Sequence, residues 1–66
     1  MTNSIRVERA ALKISQQELS DMIGVSRQTI NAIETGRYVP STILALKIAA
    51  VFGKGVNDVF ALEKKD

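Results

Sequence analysis

At 66 residues the chain holds one small domain, with no room for a second. It has no cysteine and no histidine, which excludes a disulfide framework and the usual zinc sites; stability must come from dense helix packing, from dimerisation, or from both. A composition of 45% apolar and 24% charged residues is that of a folded chain, and a net charge of +2 permits nucleic acid as a partner without arguing for it.

The first residues, MTNS, lack the basic-then-apolar order of a signal peptide. The longest apolar run, residues 43–52, is broken by Lys47 and is too short to cross a bilayer, so a cytoplasmic protein is expected. No segment alternates with period two, and every apolar stretch has helical spacing. Five helices are therefore expected, with room for a short extended segment at either end of the chain.

The first helix is predicted over residues 4–13, where Val7, Ala10, Ala11 and Ile14 form one apolar stripe. The second opens on S-Q-Q-E at 15–18, a capping box in which Ser15 and Glu18 serve each other's backbone amides. Ile14 and Leu19 make a hydrophobic staple across that cap. Leu19, Met22 and Ile23 supply the buried face, and Gly24 ends the helix. A third helix starts at once, capped by Ser26 and stopped near Gly36. Two short helices joined by Gly-Val-Ser form a helix-turn-helix, over about 15–35.

Ser41 caps a fourth helix that Gly53 ends. It is apolar nearly all round, with only Thr42 and Lys47 polar, so it must be covered on several sides. A last short helix is predicted over 57–62, capped by Asn57 or Asp58, with Val56, Val59 and Phe60 inward. Residues 63–66 read as a solvated tail.

The third helix divides sharply when its residues are set about 100° apart around the axis. With Arg27 at zero, Ile30 and Ile33 lie at about 300° and 240°, facing the core with the Thr29 methyl beside them. Arg27, Gln28 and Asn31 share the opposite side, and Ala32 keeps the centre of that side low. Arg matches the two acceptors of guanine, and Asn or Gln can pair with adenine through a donor and an acceptor. Such residues at the start of a second helix have the docking geometry of a recognition helix. A plain solvated face is the competing reading of the same residues.

The motifs S-Q-x-x-L at 15–19, G-V-S-R-Q-T-I at 24–30, I-E-x-G at 33–36 and P-S at 40–41 carry a resemblance. Together they resemble the Cro/phage-repressor (XRE) helix-turn-helix family over nearly the whole chain, most closely its short stand-alone bacterial repressors. The resemblance implies an all-α, compact five-helix, lambda-repressor-like domain. It also implies a transcriptional regulator that binds double-stranded operator DNA, as a homodimer on a pseudo-palindrome, and represses transcription.

By the same resemblance Arg27, Gln28 and Asn31 are the base-reading candidates, with Thr29 either touching a thymine methyl or a phosphate or serving a structural role in the first turn. Gln16 and Gln17 at the start of the second helix, Ser26 at the cap, and Thr35, Arg37 and Tyr38 after the recognition helix are the phosphate candidates. Ala32 stands where some phage repressors carry a base-reading glutamine, so their operators do not transfer. Glu34 would repel phosphates; its counterpart in the family pairs with an arginine of the first helix, which implies an Arg9–Glu34 ion pair. The over-apolar fourth helix, with Phe52, Val56 and the segment carrying Val59, Phe60 and Leu62, is the expected two-fold contact; a purely internal core is the competing reading.

Two other readings stay open: the DNA-binding antitoxin of a toxin–antitoxin pair, and a helical protein–protein adaptor. An enzyme is not expected, because no nucleophile sits beside an evident base and Ser15, Ser26 and Ser41 each read as helix caps. No metal, cofactor or small-molecule ligand is implied.

Overall fold

The helices begin where a side chain can satisfy the first free amides. In the computed structural model, which describes all 66 residues, Ser15 Oγ accepts from the Glu18 amide at 3.0 Å and Glu18 Oε1 accepts from the Ser15 amide at 3.0 Å. Ser26 Oγ accepts from the Thr29 amide at 3.1 Å, and Ser41 Oγ from the Leu44 amide at 3.2 Å. These three caps open α2 (Gln16–Ile23), α3 (Arg27–Glu34) and α4 (Thr42–Val51). Before them come β1 (Thr2–Asn3) and α1 (Ile5–Leu12); after them come α5 (Val56–Val59) and β2 (Phe60–Ala61).

Between α2 and α3 the chain must reverse within three residues. Gly24 does this at φ 76°, a left-handed conformation that side chains with a Cβ seldom adopt, and its amide bonds Ser20 O at 2.9 Å. Lys13 closes α1 in the same region at φ 58° without being glycine.

The core is one cluster. Ile5, Leu19, Ile30, Ile33 and Ile48 are its fully buried large side chains, joined by Ile23, Leu44, Ala45, Ala49, Val59 and Phe60. Every helix contributes to it, and α4 runs against α2 on one side and α5 on another. The burial of α4 is nonetheless partial: Leu44, Ala45, Ile48 and Ala49 face inward, while Ile43 and Leu46 are exposed. An apolar helix thus keeps an uncovered side.

Four expectations need correction. The α1 stripe is turned outward: Val7, Ala10 and Ala11 are exposed, and only Ile5 of this helix is buried. Glu8 and Arg9 take the inner positions instead, because each finds a partner there, Lys54 for Glu8 and Glu34 for Arg9. Met22 is also exposed, and the buried face of α2 is Leu19, Ser20 and Ile23, with the Ser20 hydroxyl donating to Gln17 O at 2.8 Å.

The last helix is shorter and starts earlier than predicted. Gly55 precedes it, and the Asp58 carboxylate reaches back to accept from the Gly55 amide at 3.1 Å. The chain then extends at Phe60 to form β2. This strand pairs antiparallel with β1, Thr2 opposite Ala61 and Asn3 opposite Phe60, so the extended segment occurs at both ends and the two meet.

Residues 63–66 fold back rather than trailing into solvent. The Met1 ammonium lies 3.0 Å from Glu63 Oε1 and 2.6 Å from Asp66 Oδ2. Hydrogen bonds to Asp66 and Glu63 raise the pKa of that amino group above its usual 8.0.

Candidate nucleic-acid interface

The recognition helix is anchored from behind and open in front. Ile30 and Ile33 are buried, Thr29 is half-buried, and Arg27 and Gln28 are exposed, with Asn31 and Ala32 half-buried between them. Arg27, Gln28, Asn31, Ala32 and Arg37 line one open concavity of about 470 Å³. Sequence reasoning placed Arg37 in the following loop as a backbone contact; the structure brings it to the same hollow as Arg27 and Asn31. No spacing rule shows this, because the turn after α3 decides it. The Arg37 and Tyr38 amides both bond Ala32 O, at 2.9 and 3.1 Å, folding the loop back over the helix end.

Behind this hollow lies a side-chain network. Arg9 donates to Glu34 through two nitrogens, Nε to Oε2 at 3.2 Å and Nη2 to Oε1 at 3.0 Å, while its Nη1 donates to Ile14 O at 3.0 Å. The Glu34 side chain is only 1% exposed. Such a pair, drawn out of water and doubly bonded, fixes geometry far better than a surface pair. Gln16 Nε2 donates both to Glu34 Oε2 at 3.0 Å and to Asn31 Oδ1 at 3.2 Å. Gln16 Oε1 in turn faces Arg27 Nη1 at 3.5 Å, a loose contact.

The remaining candidates divide by what already holds them. Gln17 is exposed, but its amide donates to Asp21 Oδ1 at 2.9 Å within its own helix. Ser26 Oγ and Thr29 Oγ1 lie 2.9 Å apart, so the Thr29 hydroxyl supports the cap of α3. Thr35 Oγ1 donates to Asn31 O at 2.8 Å and accepts from Arg37 Nε at 3.1 Å, which steadies the arginine. Tyr38 is half exposed on the loop.

Of the residues expected at a two-fold contact, Val59 and Phe60 are 3% and 6% exposed and belong to the core of the single chain. They are already used where α5 and β2 seal the domain. Phe52 and Val56 are half-buried, and Leu62 is 79% exposed. Ile43 and Leu46 of the over-apolar fourth helix are exposed, as is Val39 before it, which was not singled out. Val39, Leu46, Val56 and Phe60 share one groove of about 300 Å³.

Comparison with known proteins agrees with this geometry. Residues 5–59, from the start of α1 to the end of α5, match the helix-turn-helix family HTH_3. Over 66 residues, the full length of both chains, the protein is 47% identical to YgzD of Bacillus subtilis (strain 168), named as an uncharacterized HTH-type transcriptional regulator. It is 48% identical over 63 residues, 96% of each chain, to MJ0272 of Methanocaldococcus jannaschii, named in the same way. It is also 34% identical over 53 residues to the ImmF control region 10 kDa protein of Bacillus phage phi105, covering 80% of this chain and 59% of that one. The chain belongs to the XRE-type helix-turn-helix family of DNA-binding transcriptional regulators.

Proposed function

We propose that the protein is a sequence-specific repressor that binds a pseudo-palindromic operator as a homodimer. The observation that carries this is the hollow on α3, where two arginines, a glutamine and an asparagine converge around a low Ala32. Arg27, Gln28 and Asn31 read base edges in the major groove, and Thr29 reinforces the cap behind them. Gln17, Ser26, Thr35, Arg37 and Tyr38, with Gln16 through its backbone amide at the start of α2, contact phosphates, which supplies affinity that falls with salt.

One such helix covers few base pairs, so a second copy is needed for a useful site. The uncovered side of α4, with Val39, Leu46 and Val56 around its groove and Leu62 beyond Val56, is the surface that a two-fold partner would cover. Occupancy of an operator over a promoter then blocks transcription. The resemblance to a phage control-region protein supports this sign of regulation. Such a regulator acts on the chromosome, in the cytoplasm.

Selection of bound duplexes from a random pool tests the reading. A two-fold symmetric consensus with half-sites about one helical turn apart, roughly 10 base pairs, is the expected result. A reporter placed behind that site is then expected to fall when the protein is expressed. Binding without any consensus, or a reporter that rises, overturns it.

A further inference from the structure

The hydrogen bonds behind the recognition helix have a direction, and it runs outward from Glu34. Its carboxylate, held by Arg9, has no hydrogen to give and can only accept. The Gln16 atom 3.0 Å from Glu34 Oε2 must therefore be the amide nitrogen, because the carbonyl oxygen there would face another oxygen. The second N–H of that nitrogen points at Asn31, 3.2 Å away, and needs an acceptor. Asn31 thus keeps Oδ1 turned inward, and the atom it turns towards the hollow is Nδ2, which has no partner within the protein. One buried carboxylate orients two amides in series, a choice that neither amide could make by shape alone.

We propose that Asn31 reads its base as a hydrogen-bond donor only, with Gln16 as the positioning residue that sets this polarity. The proposal rests on the operator-binding reading above and narrows it. It also departs from the usual pairing of asparagine with adenine, which needs Oδ1 to accept from the adenine amino group. With Oδ1 engaged from behind, the base edge that suits Asn31 offers acceptors. Guanine offers two, N7 and O6, and thymine offers O4; adenine offers only N7, beside an amino group that meets the Asn31 N–H donor to donor, and cytosine offers an amino group alone. Guanine is therefore the base expected opposite Asn31, with thymine second.

The test compares sequences selected from a random duplex pool by the intact protein, by Asn31→Ala and by Gln16→Met. Asn31→Ala identifies the base pair concerned as the one whose preference disappears. In the intact protein that position is expected to carry guanine or thymine. Gln16→Met, which keeps the bulk but gives no hydrogen bond, frees Asn31 to turn over, and the preference for guanine over adenine is expected to fall about tenfold there. Adenine at that position in the intact protein, an unchanged preference in Gln16→Met, or no position altered by Asn31→Ala each overturns the proposal. Side-chain amide spectra of the free 15N-labelled protein read the polarity without DNA. Slow solvent exchange of the Gln16 amide protons with fast exchange at Asn31 is expected, and the reverse overturns the assignment. A pool with no consensus for any variant defeats the operator reading instead, and the amide spectra still distinguish that failure from this one.

Discussion

The guanidinium of Arg9 and the carboxylate of Glu34 meet through two parallel hydrogen bonds, joining the middle of α1 to the end of α3 across 25 residues of sequence. The pair turns inward a charge that would otherwise stand close to DNA phosphates. Removing Arg9 takes both strong bonds from a carboxylate that is 1% exposed, leaving it the Gln16 amide and the largely exposed Arg6 guanidinium 3.9 Å away. Arg9→Ala is expected to cost about 3 kcal/mol, since breaking one side of a buried pair leaves a charge that the exposed Arg6 compensates only poorly. For a domain this size the melting temperature then falls by roughly 10–20 °C. The double variant Arg9→Met with Glu34→Leu is expected to melt above Arg9→Ala, because no charge is left unpaired. An unchanged melting temperature in Arg9→Ala would show that the pair contributes nothing.

Arg27 and Arg37 share the hollow but are expected to behave differently. Arg27→Ala costs roughly 1–3 kcal/mol on the operator and relaxes the choice at one base pair. Arg37→Ala weakens binding on all sequences alike and lowers the salt slope by about one. Titrations on specific and scrambled duplexes at several salt concentrations separate the two. Equal losses on every sequence for Arg27→Ala would make it a phosphate contact.

Leu46 and Leu62 are exposed in the single chain, so charging them need not unfold it. Leu46→Glu with Leu62→Lys is expected to sediment as a monomer with an unaltered helical spectrum. Its affinity for the full operator then falls on the order of 100-fold, as the two half-sites cease to be bound together. A parent protein that sediments as a monomer at micromolar concentration would remove the dimer from the mechanism.

Lys54 Nζ donates to Glu8 Oε2 at 2.7 Å, and that hydrogen bond raises the lysine pKa above its usual 10.5. A raised folded value means stability that is present below the unfolded pKa and is lost as pH rises through the folded one. Lys54→Met is therefore expected to be less stable than the parent at pH 7 and 9, with the gap closing above about pH 10.5. Urea midpoints at pH 7, 9 and 11 show this. A gap as wide at pH 11 as at pH 7 would trace the loss to the packing of the lysine stem.

Local rules were legible because their partners lie three or four residues apart. Ser15, Ser26 and Ser41 cap the helices that the sequence assigned to them, and Ile30 and Ile33 anchor the face that the helical period gave them. The α1 stripe misled for a physical reason. In a helix of eight residues, two charged side chains with good partners outbid alanines for the inner positions. The paired ends were invisible because two residues cannot show a period. The Gln16–Asn31 contact belongs to the same class, since it needs α2 and α3 already crossed.

Asn3 has a consequence for motion. The short ribbon of β1 and β2 brings together residues 59 apart in sequence, so it closes a long loop with very few bonds. Amides there are expected to exchange with solvent well before those of the core, as the least protected part of the molecule. Yet the Asn3 side chain donates to Ile33 O at 2.9 Å while accepting from the Ile5 amide at 3.1 Å. When the ribbon frays, the last turn of the recognition helix loses a hydrogen-bond donor. How firmly this protein holds its reading helix is therefore governed partly from its chain ends.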